Sequence, residues 1–210
     1  MLKLYDYLPS QNGYKVRLLC SLLKIRYELV NVNIFRGESG TPEFLKMNLA
    51  GRVPLLEVDD GRFLPESNAI LFYLALDTSF LPEDKFLRAQ VLQWLFFEQY
   101  THEPSLAVAR YWVLSKQSQS KKEELKQKIT QGYEALSIME SHLENRKYFV
   151  NDQYTIADIA LFAYTHVAHE GSFDLTQYRA INRWIARIQA HPLHYSDLYY
   201  YDPKDLEGIW

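Results

Sequence analysis

The chain has 210 residues, 48% of them apolar and 23% charged, which suits a globular protein of one large domain or two modest ones. A net charge of −3, with no basic block or aromatic–basic repeat, argues against nucleic acid as the main partner. The single cysteine, Cys20, excludes an internal disulfide and an all-cysteine metal site, and no apolar run approaches the ~18 residues of a membrane span. Met1–Tyr5 starts as strand-like alternation rather than as a basic and then apolar leader, so a cytoplasmic location with no membrane partner is expected.

Leu2–Tyr5 predicts a first strand, and Gly13–Lys24 a helix with Val16, Leu19, Cys20 and Leu23 on one face. Tyr27–Val32 predicts a second strand. Thr41–Asn48 predicts a short helix with Thr41 as N-cap and Pro42 at the first helical position. Val53–Val58 and Arg62–Leu64 form a hairpin across Asp59-Asp60-Gly61, and Asn68–Ala75 closes this part as a helix. The order βαβαββα is that of a small mixed sheet covered by helices. Residues 77–85, around Pro82, read as a linker. Beyond it strand signals nearly vanish. Phe86–Ser115 is a long aromatic-rich helical pattern, and Ser120–Leu143 a helix with Leu125, Ile129, Leu136, Met139 and Leu143 as its stripe. Ile156–His169 and Ala180–Ala190 are further helices, the last stopped by Pro192.

Three segments point beyond a core. In Arg52-Val53-Pro54-Leu55-Leu56 the proline removes a ladder donor, so it belongs at an edge, a bulge or a tight turn. Val53–Pro54 is then either an ordinary trans edge bond or a cis bond that presents the Val53 backbone to an extended peptide. In Pro65-Glu66-Ser67-Asn68-Ala69-Ile70 a helix begins at Glu66-Ser67. Ser67 is either a plain cap or part of an anion site, with the helix N–H groups taking a ligand carboxylate and Glu66 a ligand ammonium. An α-amino acid head group carries both charges on one carbon. The third segment is the turn Pro9–Arg17, where Ser10 and Asn12 are either N-caps or donors aimed at a thiolate. Cys20, on the apolar face of that helix, reads as a small buried hydrophobe rather than a nucleophile.

Together these segments resemble the cytosolic glutathione S-transferase family, over essentially the whole chain. The proline strand with Pro65–Ile70 matches the family's glutathione-binding signature, and Thr155-Ile156-Ala157-Asp158 looks like the capping box of its buried C-terminal helix. The resemblance implies an α/β plus all-α architecture. A thioredoxin-like, glutathione-binding domain would span residues 1–76, a linker 77–85 and an all-helical domain 86–210. It implies that Val53 pairs its backbone with the cysteinyl unit, with Pro54 cis, and that Glu66 and Ser67 hold the γ-glutamyl head. Arg52, Lys46 or Arg36 would take the glycyl carboxylate. A homodimer is implied as well, with the Phe86–Ser115 helices near its interface and Glu98, Gln99 or Arg110 contributing to the partner's site.

The loop Ser10-Gln11-Asn12-Gly13-Tyr14-Lys15-Val16-Arg17 looks like the serine-type loop of several bacterial members, beta- or nu-like. It also resembles the zeta-class loop, although Gln11 and Asn12 stand where that pattern has serine and cysteine, which counts against maleylacetoacetate isomerase activity. Ser10 falls near the beta-class catalytic cysteine, and with no cysteine there a stored mixed disulfide is not expected. The implied catalytic residues are Ser10 and Asn12, with Tyr5 as the tyrosine-type alternative. The implied function is an enzyme with glutathione as co-substrate and no metal, its thiol activated for attack on a small electrophile. Disulfide or peroxide reduction, isomerisation and non-catalytic partner binding are the alternatives. A small hydrophobic or disulfide second substrate is expected against Tyr7, Tyr14 and Tyr111. The aromatic tail, with Tyr195, Tyr199, Tyr200, Tyr201 and Trp210, either packs across the helical domain or caps that pocket.

Overall fold

Alternation along the first residues buries Leu4 and Asp6 and turns Tyr5 to the opposite side, making strand β1 (Leu2–Asp6). A computed structural model describes residues 1–59 and 61–206, and the chain divides into two compact units. One is Met1–Leu76 together with residues 193–206. The other is Asp77–Pro192.

In the first unit β1 is followed by α1 (Gln11–Leu22), β2 (Tyr27–Asn31), α2 (Pro42–Met47), β3 (Leu55–Val58), β4 (Arg62–Pro65) and α3 (Ser67–Ala75), with two short 3-10 turns before α2. The sheet order is β2-β1-β3-β4, with β1 parallel to β2 and the other pairs antiparallel. This is the thioredoxin-like βαβαββα arrangement that the sequence predicts. Adjacent residues of β3 serve opposite faces. Leu56 pairs with Leu4 on one, while Leu55 joins Val32 and Phe44 of the α2 side on the other, with Tyr5, Met47, Val53 and Phe63 against them. Helices α1 and α3 pack together, and α3 also packs on β3 and β4. Thr41 caps α2 by accepting from the Phe44 N–H, with Pro42 in the first turn. The hairpin register Val58↔Arg62 is formed, and Asp60 at its tip lies outside the described residues.

The second unit contains α4 (Lys85–Phe97), α5 (Glu103–Leu114), α6 (Lys122–Leu143), α7 (Ile156–Thr165) and α8 (Arg179–Gln189). The single run expected over Phe86–Ser115 is interrupted by a π turn at Glu98–His102. Pro104 follows at once. Its ring clashes with the regular i−4 carbonyl and it has no N–H to donate, so the chain widens by one residue there. α7 is buried along its whole length, and Asp158 in its first turn closes a capping box with Thr155. The Asp158 carboxylate accepts from Thr155 N at 3.0 Å, Phe149 N at 3.1 Å and Trp184 Nε1 at 2.9 Å. Burial pushes its pKa up to about 6 despite those donors.

Residues 193–206, read above with the helical domain, group with the first unit. Trp210 lies outside the described residues. Glu98 and Arg110 are two of the residues expected to contribute to a partner's site. Both are buried, Glu98 accepting from Gln99 and Arg110 pairing with Glu170. Charges buried in this way need a partner, and each finds one within the unit.

Candidate functional site

The N-terminus of α1 is set by two close approaches. Gly13 lies so near β1 that a Cβ there would overlap the Asp6 carboxylate, so only glycine fits. Asp6 is fully buried and paired with Arg17 one turn further along α1, and Arg17 Nη2 also donates to the Leu8 carbonyl at 2.8 Å. Burial pushes the Asp6 pKa up to about 7, and Arg17 partly opposes it. The pair fastens the start of the helix to the strand before it.

Ser10 occupies the N-cap position with extended backbone, yet its side chain makes no capping hydrogen bond. One turn on, Lys15 is fully buried. Its Nζ donates to Asn12 Oδ1 at 2.8 Å and to Ser67 Oγ at 3.3 Å, and Ser67 Oγ lies 3.4 Å from Asn12 Oδ1. The starts of α1 and α3, more than fifty residues apart in sequence, are thereby joined through side chains. Glu66, immediately before α3, is exposed and stands at φ 72°, the left-handed side of the map that non-glycine residues avoid. The Val53–Pro54 bond is cis, and the ladder between β1 and β3 begins only at Leu55. Arg52 is exposed, and its carbonyl accepts from Asn48 Nδ2 at 2.8 Å.

The sequence-predicted residues Ser10, Asn12, Val53, Pro54, Glu66 and Ser67 therefore all belong to the first unit. Lys15 is the participant that sequence reasoning missed. Its i, i+3 spacing from Asn12 on one helix face was the available signal. Tyr5 is committed elsewhere. It donates to Glu57 Oε2 at 2.7 Å, and burial and that carboxylate hold its pKa up at about 12. Burial likewise drives Cys20 up to about 12, as befits an inert core thiol.

The three tyrosines expected to line a second-substrate pocket fall in both units. Tyr111 sits on α5 in the second unit. Tyr7 and Tyr14 are only 4% and 1% exposed, because the tail covers them. Tyr14 donates to the Tyr195 carbonyl at 2.6 Å, and Tyr7 stacks on Tyr201 with ring centroids 6.0 Å apart. Burial raises the pKa of both hydroxyls. The rings of Tyr195 and Tyr199 each lie within 6 Å of the Arg17 guanidinium. Asp205 accepts from Asn33 Nδ2 at 2.8 Å, Arg36 Nε at 3.2 Å and Tyr7 Oη at 3.4 Å. Arg36, one of three residues considered for a ligand carboxylate, thus already faces a carboxylate of its own chain.

Comparison with known proteins decides the family. Residues 1–76 match the family described as "Glutathione S-transferase, N-terminal domain", and residues 98–192 match "Glutathione S-transferase, C-terminal domain". The chain belongs to the glutathione S-transferase family. Among the curated relatives of the chain, the disulfide-bond oxidoreductase YfcG of Escherichia coli K12 is 31% identical over 91% of this chain and 92% of its own. A glutathione S-transferase crystal structure from Pseudomonas fluorescens is 47% identical, with a TM-score of 0.92 over 93% of this chain and 98% of that one. A Pseudomonas putida glutathione transferase with one glutathione disulfide bound per subunit is 27% identical, with a TM-score of 0.79 over 91% and 88% of the two chains. No helix among the described residues is long and apolar enough to cross a membrane. No three His, Cys, Asp or Glu side chains converge there as they would on a metal.

Proposed function

We propose that the first unit binds glutathione and activates its thiol for attack on a small electrophile. One observation carries this reading. Glu66 is held at φ 72° directly before Ser67, and the Ser67 hydroxyl meets Asn12 and Lys15 at the start of the other helix. A non-glycine residue in that region costs about 1–3 kcal/mol, and such residues gather where a ligand is clamped. In this reading Glu66 pairs with the γ-glutamyl ammonium, while Ser67 and the N-terminus of α3 take its carboxylate. The Val53 backbone pairs with the cysteinyl unit, and Arg52 takes the glycyl carboxylate. The thiol then falls beside Ser10 and Asn12.

Magnitudes favour that placement. A free thiol titrates at ~8.5, and lowering it by ~2 units means stabilising the thiolate by roughly 2.7 kcal/mol. A hydrogen bond to a charged group contributes ~1.5–3 kcal/mol, and a helix N-terminus adds ~0.3–1. The Ser10 hydroxyl at the head of α1 suffices, with no metal or general base. The thiolate sulfur forms a bond to the electrophilic carbon as the leaving group departs with the bonding pair.

A second reading, disulfide reduction, is favoured by the oxidoreductase relative and by the glutathione disulfide in the Pseudomonas putida structure. There the thiolate attacks one sulfur and expels the other as thiolate. Both readings place the protein in the cytoplasm as a homodimer. The exposure of Phe86 and Phe96 at 70% and of Tyr100 at 89% supports a covering second copy.

Calorimetry with glutathione tests the binding. Absence of heat at millimolar ligand would falsify the reading and leave a scaffold. Assays of Ser10→Ala with an activated aryl halide and with a small disulfide test the chemistry. Turnover should drop about 10–100-fold with the melting temperature unchanged. Full turnover would remove Ser10 from the mechanism.

A further inference from the structure

A fully buried lysine between the two helix starts has a consequence for which atoms its neighbours can present. An ammonium donates and accepts nothing, so any group bonded to it must turn an acceptor atom toward it. Lys15 Nζ lies 2.8 Å from Asn12 Oδ1 and 3.3 Å from Ser67 Oγ. The first bond fixes the orientation of the Asn12 amide. Its oxygen faces Lys15, and its two hydrogens are the half of the head group that serves other partners. The second bond takes a lone pair of Ser67 Oγ and turns its hydrogen away from Lys15; that hydroxyl donates to Asn12 Oδ1 at 3.4 Å, so two donors hold the amide oxygen.

We propose that Lys15 is a positioning residue of the glutathione site: by holding the Asn12 amide oxygen, directly and through the Ser67 hydroxyl, it makes Asn12 present its amide hydrogens to a bound anion. The inference rests on the glutathione reading above, in which Asn12 meets the thiolate and Ser67 the γ-glutamyl carboxylate. Both are pure acceptors. Without Lys15 the Asn12 oxygen loses its charged donor, and the half-turn that would offer oxygen to sulfur, a repulsive contact, becomes less costly. Lys15 touches neither reacting atom. Its effect passes through Asn12 and Ser67.

The test compares wild type, Lys15→Met, Asn12→Ala and the double variant. Glutathione affinity is read by calorimetry, and the pKa of the bound thiol by thiolate absorbance against pH. Lys15→Met is expected to weaken glutathione about tenfold and to raise the thiol pKa by about one unit. In the Asn12→Ala background the same change should leave the thiol pKa nearly unmoved, because the group that transmits the effect is gone. A merely structural lysine would lower both backgrounds alike. Lys15→Gln is the second variant, in case the methionine form does not fold; it keeps a donor but not an obligatory one, and should fall between. If wild type binds glutathione with a lowered thiol pKa and both Lys15 variants match it, this inference is overturned while the glutathione reading stands. If wild type does not bind glutathione, the reading and the inference fail together.

Discussion

Each unit buries a carboxylate in its core, and the two are treated in opposite ways. Asp158 in the helical unit is surrounded by donors: two backbone N–H groups, an indole N–H and the Thr155 hydroxyl. Asp6 in the first unit has a single cation, Arg17, against one oxygen, while its Oδ1 has no hydrogen-bond partner and is pressed by Gly13. The first arrangement is saturated and faces no ligand. The second is an under-bonded clamp whose helix goes on to supply Asn12 and Lys15. Polar burial alone therefore does not mark a functional site. What marks the first unit is the company that the buried groups keep: side-chain bonds join two distant helix starts directly beside the backbone outlier at Glu66, whereas the positive-φ residues Lys116, Asn151, Asp152 and Ser172 of the second unit lie in its turns.

The contrast is sharpest under mutation. Asp158→Ala removes the acceptor of three buried N–H donors at once. At about 1–3 kcal/mol for each orphaned donor, the loss is several kcal/mol, a large part of a domain's stability. Denaturant unfolding should show a midpoint far below wild type, or no soluble protein. An unchanged midpoint would mean that the capping box is dispensable.

The pH dependence comes next in size. In both carboxylates burial raises the folded pKa above the unfolded value near 3.8. The folded state then binds the proton more tightly, so the stabilisation is complete below pH ~4 and is lost as pH rises through the folded pKa. For Asp158 that window runs from about 4 to about 6 and amounts to roughly 3 kcal/mol. For Asp6 it extends to about 7, with Arg17 working against it. Carbon-13 titration of the two carboxyl groups should find Asp158 ionising first, and Asp158→Asn should flatten only the lower window. The reverse order would contradict the contrast between the two sites.

Gly13→Ala is the smallest of the three in stability and the most damaging to function. Overpacking against Asp6 should cost about 1–3 kcal/mol. The displaced helix start carries Ser10, Asn12 and Lys15, so glutathione binding should be lost from a protein that still folds. Retained affinity would show that the position of this helix start does not matter.

Much of this was legible in the sequence because it depends on local rules. Thr41-Pro42, the Thr155/Asp158 box and the alternation of β1 and β3 each declare their element within a few residues. The helix starts at Ser10 and Ser67 were readable for the same reason. What escaped depends on contacts between distant segments. Nothing near Lys15 says that it will lie under Ser67, because that neighbour arrives through the sheet order. The π turn was written in Pro104, but aromatic periodicity on both sides hid it. The tail misled because its tyrosines suit a helical domain as well as they suit α1. Contacts across the chain distinguish the two: Tyr14 with Tyr195, Tyr7 with Tyr201, and Asp205 with Asn33 and Arg36.

That tail also fixes an order of events. Tyr7 and Asp205 are 198 residues apart, so the contacts that complete the first unit wait until the helical unit between them has been made. At about 5–20 residues per second the ribosome needs roughly 10–40 s to cover that distance. During that interval the β-sheet unit lacks the tail's share of the contacts around Tyr7, Tyr14 and Arg17. A segment made after the helical unit finishes the unit made before it.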